Sequence, residues 1–175
     1  MNTHVLSNTR TTTITKAVLI HVGLVAAAIL LPAVAHLSGA PVRWLLPMHW
    51  PVIFAGLMLG WRSGLLIGLL APATNWLLTG FPLPMMLPAM TVELAIYGFA
   101  SGWLMQLGLK PILSVAIAAL LGRVFFIGAA ALTHVYADTF PAYLQAAMLP
   151  GLFAGVLQAL FLPVLVKMIS RSDSA

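Results

Sequence analysis

Charge is what this chain of 175 residues has least of: Asp, Glu, Lys and Arg together make up 6% of it, against about a quarter in a soluble domain. Hydrophobic residues reach 62%. Soluble packing cannot hide that much apolar surface, so lipid must solvate it. Cysteine is absent, which excludes disulfides, thiol nucleophiles, Cys-ligated zinc and iron–sulfur clusters but leaves the compartment open. No Walker loop occurs, so the chain itself hydrolyses no ATP. No H-E-x-x-H, G-x-S-x-G or paired acidic metal site occurs either, and an intramembrane enzyme is not expected. The net charge of +5 resembles a nucleic-acid signal until the cations are placed. They lie between apolar runs, where topology determinants belong.

The apolar runs fit spans of roughly 17–25 residues, shorter if bent. The sequence predicts Ala17–Leu37, a short Met48–Gly60, Ser63–Thr79, Met86–Leu107, Pro111–His134 and Tyr143–Met168. Gly60-Trp-Arg-Ser-Gly64, Gly80-Phe-Pro-Leu-Pro84 and Leu107-Gly-Leu-Lys-Pro111 read as the turns between them. The expected fold is all-α and integral to the membrane, with six transmembrane helices. Residues 17–168 form the membrane domain, between a cytoplasmic tail at 1–16 and another at 169–175.

Orientation follows from the cations. With the N-terminus in the cytoplasm, Arg10, Lys16, Arg62, Lys110, Lys167 and Arg171 fall inside and only Arg43 outside. That bias favours an even number of spans, both termini cytoplasmic, and a multi-pass protein of the inner (cytoplasmic) membrane. A competing reading treats the start as a signal peptide cleaved after Ala33-Val-Ala35, which would leave five spans and remove His21. The apolar run is long for a signal, and a polytopic protein rarely needs one.

Glu93 and Arg123 are the strongly charged residues expected well inside spans. Intramembrane charges are costly, and they turn toward a partner, a cavity or a substrate. One reading is a buried ion pair that fixes packing; the other is a pair that opens onto a ligand. Arg123 suits a carboxylate, because its planar fork gives two parallel hydrogen bonds. A second group gathers at the expected outer end: His36, His49, Asn75, Thr79, His134 and Tyr136. His49, with Trp50 beside it, can bond and stack on a planar polar ligand, or both can merely anchor a helix in the headgroup region. Asn75 in a helix body needs a neighbouring helix or a wet pocket. Gly23-x-x-x-Ala27, Gly56-x-x-x-Gly60 and Gly151-x-x-x-Gly155 are small-residue strips that let helices approach closely, most of them expected to be internal.

Several segments then carry a family resemblance. Leu31-Pro-Ala-Val-Ala-His36, Leu46-Pro-Met-His-Trp-Pro-Val52, Ala55-Gly-Leu-Met-Leu-Gly60, Leu78-Thr-Gly-Phe-Pro-Leu-Pro84 and Val92-Glu-Leu-Ala-Ile-Tyr-Gly98 resemble the substrate-binding (S) component of energy-coupling factor vitamin transporters. The resemblance spans roughly Ala17 to Met168. It implies a high-affinity subunit of an ATP-driven importer, without a nucleotide site or resident cofactor. Such a subunit binds a vitamin or precursor near the outer face and docks on a transmembrane T component with two cytoplasmic ATPases. It supports Glu93 and Arg123 as ligand contacts, though they are not a shared signature of the family; Asn75, His49, Trp50 and Tyr97 are the further candidate contacts. It also implies docking through small residues of span one, where Gly23 and Ala27 stand in place of the common Ala-x-x-x-Ala. An Arg and a Glu in an apolar cavity suit a small carboxylate with hydroxyl or amine groups, such as pantothenate. A pyrimidine, pyridoxine-like compound, queuosine precursor or cobalamin remains open. A metal ion is not expected, since Asn2 and His4 do not match the family's nickel and cobalt branch.

Two rival functions come from other classes. His21, His36, His49 and His134 lie in or near spans, so a haem-b electron-transfer protein is one, provided two imidazoles face each other across helices. A ligand-free assembly subunit is the other, because intramembrane Glu and Asn can serve packing alone.

Overall fold

Apolar residues in unbroken runs fold as helices in lipid because every backbone N–H must be satisfied within its own segment. The computed structural model describes residues 3–134 and 139–172; Tyr136 lies outside them. Among the described residues the regular elements are all helical. They are α1 (Thr3–Leu37), the one-turn α2 (Val42–Leu45), α3 (His49–Leu59), α4 (Trp61–Thr79), α5 (Leu87–Gln106), α6 (Pro111–Thr133) and α7 (Phe140–Ser172), with a 3-10 turn at Pro84–Met86. Five of the expected spans match α3 to α7 within four residues. The first differs: α1 runs on through the polar stretch expected as a tail. The short α2, inside a segment read only as a connector, is an addition.

By length and composition, four described segments are apolar enough to cross a membrane: Val18–Leu37, Val42–Leu59, Pro111–Thr133 and Phe140–Ser170. α4 and α5 are long enough, but Arg62 and Asn75 in one and Glu93 in the other dilute their hydropathy. Asn75 and Glu93 are both buried in the protein, so composition alone understates how apolar the outer faces are. Those faces carry Leu69, Leu70, Leu77, Leu78 and Val92, all exposed.

The interior is built from small residues. A Cβ added to Gly64 would collide with the Gly98 backbone, and one on Gly98 with Gly64. Gly56 meets Ser101 and the Gly98 carbonyl in the same way, Gly68 meets Leu94, and Gly102 meets Trp61. Gly56, Gly60, Gly64 and Gly68 thus form one seam that brings α3 and α4 against α5 at backbone distance, the small-xxx-small device of membrane helices. Gly60 also turns the chain between α3 and α4 at φ 89°. Residue pairing makes α4 antiparallel to α5, and α5 antiparallel to α6. The ends of α4, α5 and α6 near residues 79, 87 and 133 therefore gather with α2 and the start of α7 at one end of the bundle.

Candidate functional site

Glu93 sits about two turns into α5 and is 2% exposed. Tyr97 follows four residues later, on the same face of the helix, and its hydroxyl donates to Glu93 Oε1 at 3.1 Å. Two glycines make room for the neighbours. A Cβ on Gly122 of α6 would strike the Tyr97 ring, and one on Gly151 of α7 would strike the Arg123 guanidinium. Arg123 is 6% exposed; its Nη2 lies 3.0 Å from Glu93 Oε1. Its guanidinium carbon stands 5.1 Å from the Phe126 ring centroid, a cation–π contact one helical turn along α6. His49 closes the cluster from the first turn of α3, with Nε2 3.5 Å from Glu93 Oε2 and its ring edge-on to Tyr97 at 5.0 Å.

The pair is close but incompletely bonded. Arg123 Nη2 and His49 Nε2 are paired with the two Glu93 carboxylate oxygens, yet Arg123 Nε and His49 Nδ1 make no hydrogen bond. Unmade hydrogen bonds of buried groups cost about 1–3 kcal/mol each, more when charged. A buried ion pair is also a weak stabiliser compared with apolar packing of the same volume. Structure alone is therefore a poor reason for this cluster. It borders a cavity of about 210 Å³, whose wall includes His49, Glu93, Arg123, Phe126, Tyr143 and Arg43.

Asn75, 3% exposed, lies apart from that cluster. It lines a second cavity of about 300 Å³ beneath the Phe81 loop, with His36 and His49. Its Oδ1 has no hydrogen-bond partner. Trp50 faces elsewhere: its Nε1 donates to the Leu45 carbonyl at 2.8 Å, its ring lies beside Phe161, and it lines an apolar groove between α1 and α7. Ala27 lines that same groove, while Gly23 is exposed, with open space at its Cα. His36 stacks on Phe81, Thr79 donates to the Asn75 carbonyl, and His134 ends α6 in the left-handed region. His49 thus turns to a carboxylate and a phenol rather than to a facing imidazole. Among the described residues no group of three or more His, Asp or Glu is arranged to hold a metal.

Sequence reasoning missed two polar members of the first cavity, Arg43 and Tyr143. Arg43 was counted only for topology, although the sole cation of the expected outer side is a natural anion contact. Tyr143 passed unnoticed at the start of a span.

A helical bundle that exposes its large aliphatics and gathers a carboxylate, a guanidinium and a phenol beside a cavity is a multi-pass membrane protein. The family model for the ECF transporter substrate-specific component matches residues 13–170, and the chain belongs to that family. It is a membrane substrate-specific subunit of an energy-coupling factor transporter, a substrate-binding transport subunit rather than an enzyme. No curated protein and no solved structure matches the chain.

Proposed function

We propose that this subunit captures a small carboxylate, a vitamin or vitamin precursor of the pantothenate kind, for an ATP-driven importer of the cytoplasmic membrane. The observation that carries the reading is Arg123. It lines the cavity, its Nε makes no hydrogen bond, and a second cation, Arg43, stands in the same wall. With Glu93 holding one side of the guanidinium, the cavity keeps a surplus of positive charge, suited to an anion. Glu93 and His49 then orient Arg123 or accept from a ligand donor, while Tyr97, bonded to Glu93, holds the carboxylate.

In this reading the chain crosses the bilayer six times, by α1, by α2 and α3 together (Val42–Leu59), and by α4, α5, α6 and α7, with both termini cytoplasmic and the cavity near the outer face. The pump is supplied by a T component and two ATPases, met through the α1 surface around Gly23 and Ala27. The apolar groove of about 680 Å³ beside Ala27 supports that surface as a place where another helix lies. Mass spectrometry of small molecules released from the purified chain tests the ligand class. A carboxylate recovered in stoichiometric amount, and lost from Arg123→Ala, is the expected result; a haem or a neutral compound would replace the reading.

A further inference from the structure

Resting on the carboxylate reading, we propose that the binding site has two compartments, and that its substrate is an elongated acid with a hydrogen-bond donor at the end remote from the carboxylate. The two cavities share a wall: Leu46, His49, Met86 and Met90 border both. The charged groups Arg43, Glu93 and Arg123 border only the first, and Asn75 only the second. His49 alone among the polar residues borders both. One of its nitrogens, Nε2, is directed at Glu93, and the other, Nδ1, is buried without a partner.

The second compartment shows unmet polar capacity of its own. Asn75 Oδ1 is an acceptor, nine-tenths buried and unbonded, in a cavity whose remaining lining is chiefly apolar, with Pro32, Leu83 and Met90. A buried amide oxygen without a donor is the kind of exception that calls for an explanation. A ligand hydroxyl or N–H supplies the donor. Flexible thioethers at Met86 and Met90 form the shared wall, and methionine adapts to a chain threaded past it. Substrate length then becomes a selection rule. A short acid satisfies Arg123 and leaves Asn75 unpaired, whereas a long hydroxylated acid satisfies both.

The cysteine-free chain makes the test direct. Ala147→Cys places a thiol in the first compartment, and Leu83→Cys places one in the second, without touching the polar groups. Three acids sharing one end serve as protectants against 2-sulfonatoethyl methanethiosulfonate: N-acetyl-β-alanine, N-hexanoyl-β-alanine and pantothenate. All three are expected to slow labelling of Ala147→Cys, and only the two long ones to slow labelling of Leu83→Cys. Asn75→Leu is expected to weaken protection by pantothenate at least about tenfold while changing that by N-hexanoyl-β-alanine little. Asn75→Gln, which keeps a neutral amide acceptor, controls for a folding defect and should retain protection by pantothenate. Protection of Ala147→Cys alone by every acid overturns the two-compartment site and leaves the carboxylate reading standing. Equal loss of both long acids in Asn75→Leu, with Asn75→Gln no better, also overturns it. Failure of all three acids to protect Ala147→Cys removes the carboxylate reading itself, and the inference with it.

Discussion

Gly151 and Arg123 compete for one volume: the guanidinium from α6 occupies the space that a side chain on α7 would fill. The missing Cβ is therefore part of the charge site, although it has no chemistry of its own. Gly151→Val should push the guanidinium away from Glu93 and weaken ligand binding, while Gly155→Ala, four residues along the same helix, should have little effect. A titration that finds both variants at native affinity would show that the seat is dispensable.

Arg123→Ala should weaken binding of the native acid at least about tenfold, since hydrogen bonds to a charged group contribute about 1.5–3 kcal/mol and each 1.4 kcal/mol is a decade. Arg123→Lys keeps the charge but loses the fork, and should recover only part of the affinity. The double variant Glu93→Gln with Arg123→Gln separates structure from function. If the pair served packing alone, two neutral amides would bind nearly as wild type; a large loss in a folded protein is the expected outcome.

The α4–α5 seam should govern stability more than binding. Gly98→Val inserts three carbons where the Gly64 backbone lies, and overpacking costs about 1–3 kcal/mol, occasionally more. A lowered midpoint of thermal unfolding checks this. Gly128→Val, at a glycine with nothing nearby, should leave the midpoint near native.

Docking should map to the open face of α1. Gly23→Leu meets open space, so the isolated subunit should fold and bind its ligand normally while transport by the assembled complex falls. Ala27→Trp, at the rim of the α1–α7 groove, should act in the same direction. Loss of ligand affinity in Gly23→Leu would instead mean that the strip packs within the subunit.

The helices were legible because lipid leaves the backbone few alternatives and because Gly and Pro mark the turns. Glu93 and Arg123 were legible for a related reason: ionised groups in an apolar run demand a partner. Their environment was not. His49 reaches Glu93 from another helix, and no local pattern encodes that meeting. Trp50 shows the limit most clearly. Beside His49 in the chain, it lines the groove between α1 and α7 and not the two cavities that His49 borders. Gly64, Gly68, Gly98 and Gly102 carry the same small-xxx-small spacing as Gly56 and Gly60, so the strips themselves were legible; which strips face each other across α3, α4 and α5 was not.

Leu46 has a consequence for timing. It ends α2 at φ 44°, in the left-handed region that a bulky side chain rarely adopts, and that posture costs about 1–2 kcal/mol. Its side chain borders both cavities, so the residue under tension is also the one between the short α2 and the interior. A movement of α2 that let Leu46 return to negative φ would give that energy back, so the cost of the left-handed backbone lowers the barrier to any opening that frees it. Leu46→Asn, better suited to the left-handed region, should reduce that cost and lengthen the residence time of bound acid. Faster dissociation from that variant would show that the strain does not aid opening.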